Sequence, residues 1–243
     1  MKSFKIMVVA AVLAACSSSP KQEATTSEPE DTNNQLTEAQ KAEGWTLLFD
    51  GKSMDGWKFF KGRPANGWKV ENGTLHCVAA DSADERNDIM TEKQYTNFEL
   101  ALEWKIANQG NSGIIYRATE EFDQPYQSGP EYQLLDDVGY PGTWTEKNMT
   151  AANYDMHAPQ NKNLKPVGEW NSTRILVNGN HVEHWLNGSK VVEYELQSEE
   201  WKKLKEGSKW KDATGYGMAS SGHITLQDHG GEVWFRNIMI KEL

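Results

Sequence analysis

The stretch Phe98-Glu-Leu-Ala-Leu-Glu-Trp-Lys-Ile106 decides the fold class. Its apolar residues alternate with polar or small ones, which is the period of a strand that is buried on one side and solvated on the other. A Gly/Asn-rich turn then leads to the strand Ile114-Ile-Tyr-Arg117, and a loop ending in Gly129-Pro130 leads to Glu131-Tyr-Gln-Leu-Leu135. Three consecutive short strands of this kind predict a β-rich domain.

The rest of the chain extends the same pattern in both directions. Asn-Gly dipeptides at Asn72, Asn178 and Asn187 separate alternating segments, and this is the strongest local signal for a β-hairpin. Helical patterns are short: a capping box at Thr37 and a cap at Ser198 each predict a helix of one or two turns. Many short strands without βαβ alternation predict an all-β sandwich or jelly roll of two antiparallel sheets with a few short helices.

Composition narrows the classes of protein that fit. The chain has 243 residues and a formal net charge of −10, and aromatic residues make up 10% of it, enough for one sizeable core. Because it contains no block of Lys and Arg that could follow phosphates, nucleic acid is excluded as an expected partner.

The N-terminus resembles a bacterial lipoprotein signal peptide. Lys2 and Lys5 precede an apolar segment that is too short to span a bilayer, and Leu13-Ala-Ala-Cys16 has the pattern of a lipobox. The resemblance implies a signal peptide over 1–15, acylation of Cys16, and attachment to the outer membrane on its periplasmic or cell-surface side. An ordinary secretory signal is the alternative. The polar segment 16–36 is predicted to be a flexible tether, and 37–243 a single domain.

Polar side chains recur on successive central strands. Alternation places Glu103, Arg117, Glu131 and Gln133 on solvent-facing positions, where they would converge if the strands were neighbours. Glu131 is the strongest candidate for a catalytic residue because it begins an otherwise largely apolar strand. A carboxylate there is unfavourable unless it has a functional role or a partner such as Arg117. A solvated sheet face is the simpler interpretation of the others.

Six segments carry a resemblance to a known family, the 3-keto-disaccharide hydrolase domain family. They are Gly44-Trp-Thr-Leu-Leu-Phe-Asp-Gly51 with Gly56-Trp57, Asn111-Ser-Gly-Ile-Ile-Tyr-Arg117, Glu131-Tyr-Gln-Leu-Leu-Asp136, Gly168-Glu-Trp-Asn171, His184-Trp-Leu-Asn-Gly188, and Leu226-Gln-Asp-His-Gly230 with Val233-Trp-Phe-Arg-Asn-Ile238. The resemblance runs from about residue 44 to the C-terminus. It implies a concanavalin-like jelly roll and the cleavage of oxidised, 3-keto glycosides.

A ketone at C3 of a sugar acidifies the hydrogen at C2, so one base can start β-elimination of the group at C1. We expect Glu131 to be that base and His229 or His184 to be the acid, with Arg117 and Gln227 binding the oxyanion and the hydroxyl groups. His184 alternates with apolar residues, which also fits a core position. A divalent metal could stabilise the enolate, although the sequence shows no ligand motif for one.

Sugar-binding sites use aromatic faces, and two residues in loops are candidates for that contact: Trp144 and Tyr154. Glu103, Gln133, Gln227 and His184 complete the predicted substrate contacts. Two other functions stay open at this point. One is a non-catalytic, carbohydrate-binding lipoprotein; the other is a conventional glycosidase that pairs Glu131 with Asp136 or Glu103.

Overall fold

Thirteen strands and two α-helices lie within the described part of the computed structural model, which comprises residues 1 and 32–243. The helices are α1 (Glu38–Ala42) and α2 (Glu199–Glu206). The strands are β1 (Trp45–Leu47), β2 (Trp57–Phe59), β3 (Trp68–Glu71), β4 (Thr74–Cys77), β5 (Ile89–Thr91), β6 (Phe98–Ile106), β7 (Asn111–Ala118), β8 (Glu131–Leu135), β9 (Asn171–Asn178), β10 (His181–Leu186), β11 (Ser189–Glu195), β12 (His223–Leu226) and β13 (Val233–Glu242).

The strands form two antiparallel sheets. The larger sheet has the order β11-β10-β9-β6-β13-β4-β3, with β1 paired to β13, and the smaller one has the order β2-β5-β12-β7-β8. The predicted all-β jelly-roll sandwich of two antiparallel sheets is therefore confirmed. The turns that connect β3 to β4 and β10 to β11 contain the Asn-Gly pairs, and Asn187 and Gly188 both have positive φ, 47° and 82°, as the favoured two-residue hairpin turns require.

The core lies between the two sheets and follows the alternation of the sequence. Along β6, Phe98 and Trp104 are fully buried and face inward, while the residues between the inward positions are half-exposed. The smaller sheet contributes Tyr116, Tyr132 and Leu226 to the same core. These aromatic side chains supply most of the apolar surface that folding removes from water.

Both short helices begin where their caps were predicted. The Thr37 side chain accepts from the Gln40 backbone N–H, and the Ser198 side chain accepts from that of Trp201. The compact unit begins at Thr32, before the predicted end of the tether, because Asn34 exchanges backbone–side-chain hydrogen bonds with Asn237 of β13.

The predicted signal peptide and the lipidated Cys16 lie outside the described residues. Among the residues that are described, none of the helices has the length and apolar character needed to cross a membrane. Cys77 is a free, fully buried residue of β4, and burial raises the pKa of its thiol, as expected for a structural cysteine.

Candidate active site

Glu131 and Gln133 lie side by side on the outer face of the smaller sheet. The intervening Tyr132 and Leu134 point into the core, which confirms the predicted alternation of β8. Both polar residues are nonetheless nearly buried, with 4% of Glu131 and 2% of Gln133 exposed. A sugar that reaches Glu131 therefore enters surroundings that are largely shielded from water.

Gly113 provides the space that the Glu131 carboxylate occupies. Gly113 lies opposite Gln133 on the neighbouring strand β7, and Ile115 lies opposite Glu131. A Cβ atom at position 113 would collide with Oε1 of Glu131. The carboxylate therefore leans across β7 instead of projecting straight from the sheet.

Two glutamines lie near this carboxylate, one on its own strand and one across Gly113. In the orientation that satisfies both ends of its amide, Gln133 donates to Glu131 Oε1 and to the Ser112 carbonyl, each at 3.0 Å. On the other side of Gly113, the backbone N–H of Gln227 donates to the Gly113 carbonyl at 2.9 Å. Gln227 Oε1 is buried and has no hydrogen-bond partner among the described residues. A buried acceptor of this kind is costly unless a ligand such as a sugar hydroxyl donates to it.

The cation whose charge acts on the pKa of Glu131 is Lys209, not the predicted Arg117. Lys209 Nζ lies 4.0 Å from the ring centroid of Tyr154 and 4.3 Å from that of Trp210, so an aromatic cage holds it in place. Burial lowers the pKa of Lys209, and the negative charge of Glu131 opposes that change. No sequence pattern indicates Lys209, because it follows α2 in a loop with no periodicity.

The electrostatics of Glu131 suit a base that works near neutral pH. Burial raises the pKa of its carboxyl to about 7, the positive charge of Lys209 opposes that rise, and the negative charge of Asp88 adds to it. A base is most effective when its pKa is close to the working pH. The catalytic role of Glu131 itself stays a prediction.

The aromatic candidates occupy two positions around this face. The Tyr154 backbone N–H donates to the Glu131 carbonyl at 3.0 Å, and the charge of Glu131 helps burial to raise the pKa of the Tyr154 hydroxyl to about 12. The ring centroids of Trp144 and Tyr140 are 5.5 Å apart, and those of Tyr140 and His229 are 6.5 Å apart. His229 is exposed in the loop after Gln227. Sugar contacts by Trp144, Tyr154 and His229 stay predictions.

The prediction that Arg117 joins Glu131 was wrong. Its Nε and Nη2 donate to the Thr96 carbonyl at 3.0 and 2.6 Å, and Nη2 also donates to the Gly179 carbonyl at 2.9 Å. Arg117 has a φ of +54°, and the register between β7 and β12 shifts beside it. This irregularity breaks the alternation that placed Arg117 on the site face.

Glu103 and His184 also lie away from Glu131, contrary to the prediction. Glu103 belongs to the larger sheet, where its carboxylate accepts from Arg236 Nε at 2.7 Å. His184 is completely buried between the sheets; Nε2 lies 2.9 Å from the Tyr116 hydroxyl and Nδ1 3.0 Å from the Ala151 carbonyl. Burial lowers the pKa of His184 to about 3, so it stays neutral and serves the core.

The carboxylate pairs of a conventional glycosidase are not assembled. Glu103 lies on the other sheet, and Asp136 is committed to the turn after β8, where it accepts from the backbone N–H groups of Gln109 and Gly139, each at 2.8 Å. Burial raises the pKa of Asp136, but these hydrogen bonds outweigh it and lower the pKa below its usual value. An ionised, fully engaged carboxylate is poorly suited to be an acid or a nucleophile.

One group of possible metal ligands is found among residues 32–243, and it lies on the larger sheet. It consists of His181, Glu183 and Glu193. Lys190 already pairs with both carboxylates, at 3.1 Å to Glu183 and 2.7 Å to Glu193. This group is on the other sheet from Glu131, so the divalent metal considered from the chemistry stays a prediction without assigned ligands.

A comparison with known families agrees with this geometry. The model of the family described as the 3-keto-alpha-glucoside-1,2-lyase-like domain matches residues 44–241. The chain belongs to this family. The predicted membership is thereby confirmed, and the 3-keto-alpha-glucoside-1,2-lyase-like domain contains both sheets and every side chain placed around Glu131.

Relatives of this domain support the same assignment. A Bacteroides thetaiotaomicron protein named 3-keto-disaccharide hydrolase is 35% identical over 230 residues, which cover 83% of this chain and 79% of that protein. The crystal structure of a presumed glycosyl hydrolase from Parabacteroides distasonis matches with a TM-score of 0.81 at 42% identity, over 87% of this chain and 99% of that one. A second P. distasonis structure, with the same description, matches with a TM-score of 0.65 at 28% identity over 82% and 99% of the two chains.

Proposed function

We propose that this protein cleaves 3-keto glycosides and that Glu131 starts the reaction by removing the C2 proton. The observation that carries the proposal is the near-buried Glu131 carboxylate, with its pKa raised to about 7, placed over Gly113. The name of the B. thetaiotaomicron relative and the description of the family support a 3-keto glycoside as the substrate.

The chemistry needs one base and a set of groups that favour the enolate. When Glu131 takes the C2 proton, negative charge develops on the C3 oxygen. Lys209 supplies a caged positive charge that acts on Glu131, and the amide of Gln133 donates to the Glu131 carboxylate and so holds the base in place. Charged and neutral donors that are fixed before the reaction stabilise such an oxyanion without reorganisation.

Elimination and hydration then complete the reaction. As the C3 carbonyl re-forms, a double bond forms between C1 and C2 and the C1–O bond breaks, which releases the leaving alcohol. Addition of water to C1 and return of a proton to C2 give the free 3-keto sugar. The net result is hydrolysis, and a product released before hydration makes the enzyme a lyase.

The test compares oxidised and unoxidised sugars. The purified protein is given a 3-keto glucoside and its unoxidised parent, with and without chelator, and the series is repeated with Glu131→Gln. We expect cleavage of the 3-keto sugar alone, lowered about 10²–10⁴-fold in Glu131→Gln. Cleavage of both sugars would favour a conventional glycosidase, and binding without turnover would favour a carbohydrate-binding protein. Loss of activity in chelator that added metal restores would assign a metal.

We also propose that Cys16 anchors the protein to the outer membrane through lipid. The lipobox at Leu13–Cys16 and the polar segment after it support this arrangement. Radiolabelled palmitate should be incorporated into the wild-type protein but not into Cys16→Ser. Equal labelling of the two proteins would contradict the proposal.

A further inference from the structure

A second carboxylate, that of Asp88, lies on the same face of the smaller sheet as Glu131, three strands away. Asp88 comes immediately before β5, and since Ile89 points into the core, Asp88 takes the outward position. Leu226 of β12 pairs with Ile89, so Gln227 lies beside Asp88. Only 7% of Asp88 is exposed. Across four neighbouring strands the outer face therefore presents Asp88, Gln227, Gly113 and Gln133 in one row.

Asp88 is held in position by the loop that follows β12. Its Oδ1 accepts from the Asp228 backbone N–H at 2.8 Å. The Asp228 side chain is fixed in turn by Arg86, whose Nε donates to Oδ1 of Asp228 at 2.7 Å. The hydrogen bond from the Asp228 backbone N–H engages Oδ1 of Asp88, so Oδ2 is left to carry a proton.

Two pKa shifts indicate that Asp88 and Glu131 share one electrostatic environment. The charge of Asp88 raises the pKa of Glu131. After burial, the charges of both carboxylates are the causes that raise the pKa of the Tyr126 hydroxyl. Both charges therefore act on the Tyr126 hydroxyl, and the strands of Gly113 and Gln227 lie between the strands of the two carboxylates.

The surroundings of Asp88 also suit a proton donor. Burial raises the pKa of its carboxyl to about 7; the hydrogen bond from the Asp228 backbone opposes this rise, and the charge of the Asp228 carboxylate adds to it. Arg86, two residues before Asp88, is paired with Asp228. A protonated fraction of Asp88 is thus present at neutral pH.

We propose that Asp88 is the general acid that protonates the leaving glycosidic oxygen. The proposal rests on the proposed function and replaces the predicted acid roles of His184, which lies in the core, and of His229. In the forward direction Glu131 gains the C2 proton, the C1–O bond breaks with its electron pair on oxygen, and Asp88 gives its proton to that oxygen. The water that enters after the alcohol leaves exchanges its hydrogens with the Glu131 carboxyl. In hydration Asp88 then takes a proton from water as the hydroxyl adds to C1, and Glu131 gives a solvent-derived proton to C2. Both carboxyl groups end in their starting states.

The experiment varies the leaving group. Rates of wild type, Asp88→Asn, His229→Ala and Glu131→Gln are measured with a 3-keto glucoside of an alkyl alcohol and with 4-nitrophenyl 3-keto glucoside, whose phenolate departs without an acid. We expect Asp88→Asn to lose about 10²–10⁴-fold on the alkyl glucoside and less than about tenfold on the nitrophenyl one. Glu131→Gln should lose activity on both sugars.

Two results would overturn the role of Asp88. One is an equal loss on both sugars in Asp88→Asn, and the other is a leaving-group-dependent loss in His229→Ala, which would move the acid to His229. Asparagine keeps an oxygen that accepts from the Asp228 N–H, so the variant should fold. If it does not, the wild-type enzyme alone decides: rates across a series of alcohols should depend weakly on the pKa of the alcohol, and a steep dependence would overturn the role. A wild-type protein that cleaves no 3-keto glycoside would instead refute the proposed function.

Discussion

The Glu131 carboxylate occupies the space that a side chain at Gly113 would fill. This contact fixes the direction of the proposed base across β7, toward the next strand β12, which Gln227 follows. It also explains why the residue at 113 has no side chain, since its backbone is ordinary extended strand and does not demand glycine.

Gly113→Ala should therefore reduce turnover more than stability. The added methyl must displace the carboxylate or the strand, and overpacking of this kind costs about 1–3 kcal/mol in free energy of unfolding. We expect kcat on a 3-keto glucoside to fall about tenfold or more, since small displacements of a catalytic group are expensive. Gly207→Ala is the matched control, because its Cβ would meet the Leu204 carbonyl at an ordinary 3.6 Å. A Gly113→Ala enzyme with wild-type kcat would contradict the placement of Glu131.

Lys209→Met tests the electrostatic pairing. The positive charge of Lys209 lowers the pKa of Glu131, so its removal should raise that pKa. The acidic limb of the kcat/KM profile against pH should shift to higher pH, and activity at pH 6 should fall more than activity at pH 8. Lys205→Met is the control, since Lys205 lies against Trp201, 5.7 Å from its ring centroid. An unshifted limb in Lys209→Met would show that Glu131 is not the titrating base.

Glu131 should make the protein less stable as the pH rises. Its folded-state pKa of about 7 lies above the ordinary value of 4.5, so the unfolded chain ionises first and the free energy of unfolding declines between these two values. The full effect is about 3 kcal/mol, at roughly 1.4 kcal/mol per pKa unit. Glu131→Gln lacks this titration, so its stability relative to wild type should increase from pH 4.5 to pH 8 in urea unfolding. The exposed Glu43→Gln variant should follow the wild-type pH dependence, and a parallel course for Glu131→Gln would refute the shift.

Arg117→Lys should affect stability and leave the chemistry unchanged. Lysine lacks the planar fork that reaches both the Thr96 and Gly179 carbonyls, and the lost hydrogen bonds should cost about 1–3 kcal/mol in free energy of unfolding. Below the melting transition, kcat and its pH dependence should match the wild type. Arg63→Lys, at an exposed ion pair, should change stability by less than about 1 kcal/mol. A selective loss of kcat in Arg117→Lys would restore the catalytic role that the sequence suggested.

The sequence predicted what depends on local periodicity. The alternation of β6 placed Trp104 in the core, and the alternation of β8 placed Glu131 on the face of the smaller sheet that points away from the core. The structure confirms both positions. Periodicity does not tell which strands become neighbours, and so Glu103 was grouped with residues of the other sheet. A single residue of positive φ at Arg117 reversed the side on which that side chain lies.

The remaining parts of the site come from tertiary packing. Lys209 reaches the site through contacts with Tyr154 and Trp210, and no sequence pattern indicates them. Asp88 precedes a strand of three residues, which is too short to show alternation. The burial that raises the pKa of Glu131 likewise depends on the folded chain, because it is a property of the whole domain.

Hydrogen exchange at C2 of the sugar tests the central claim most directly. The enzyme cleaves a 3-keto glucoside in D₂O, and NMR measures deuterium at C2 of the released 3-keto sugar, corrected for exchange in buffer alone. Proton removal by Glu131 predicts deuterium at C2 in the wild-type product and none above background with Glu131→Gln. Cleavage at the full wild-type rate with the original C2 hydrogen entirely retained would contradict the account.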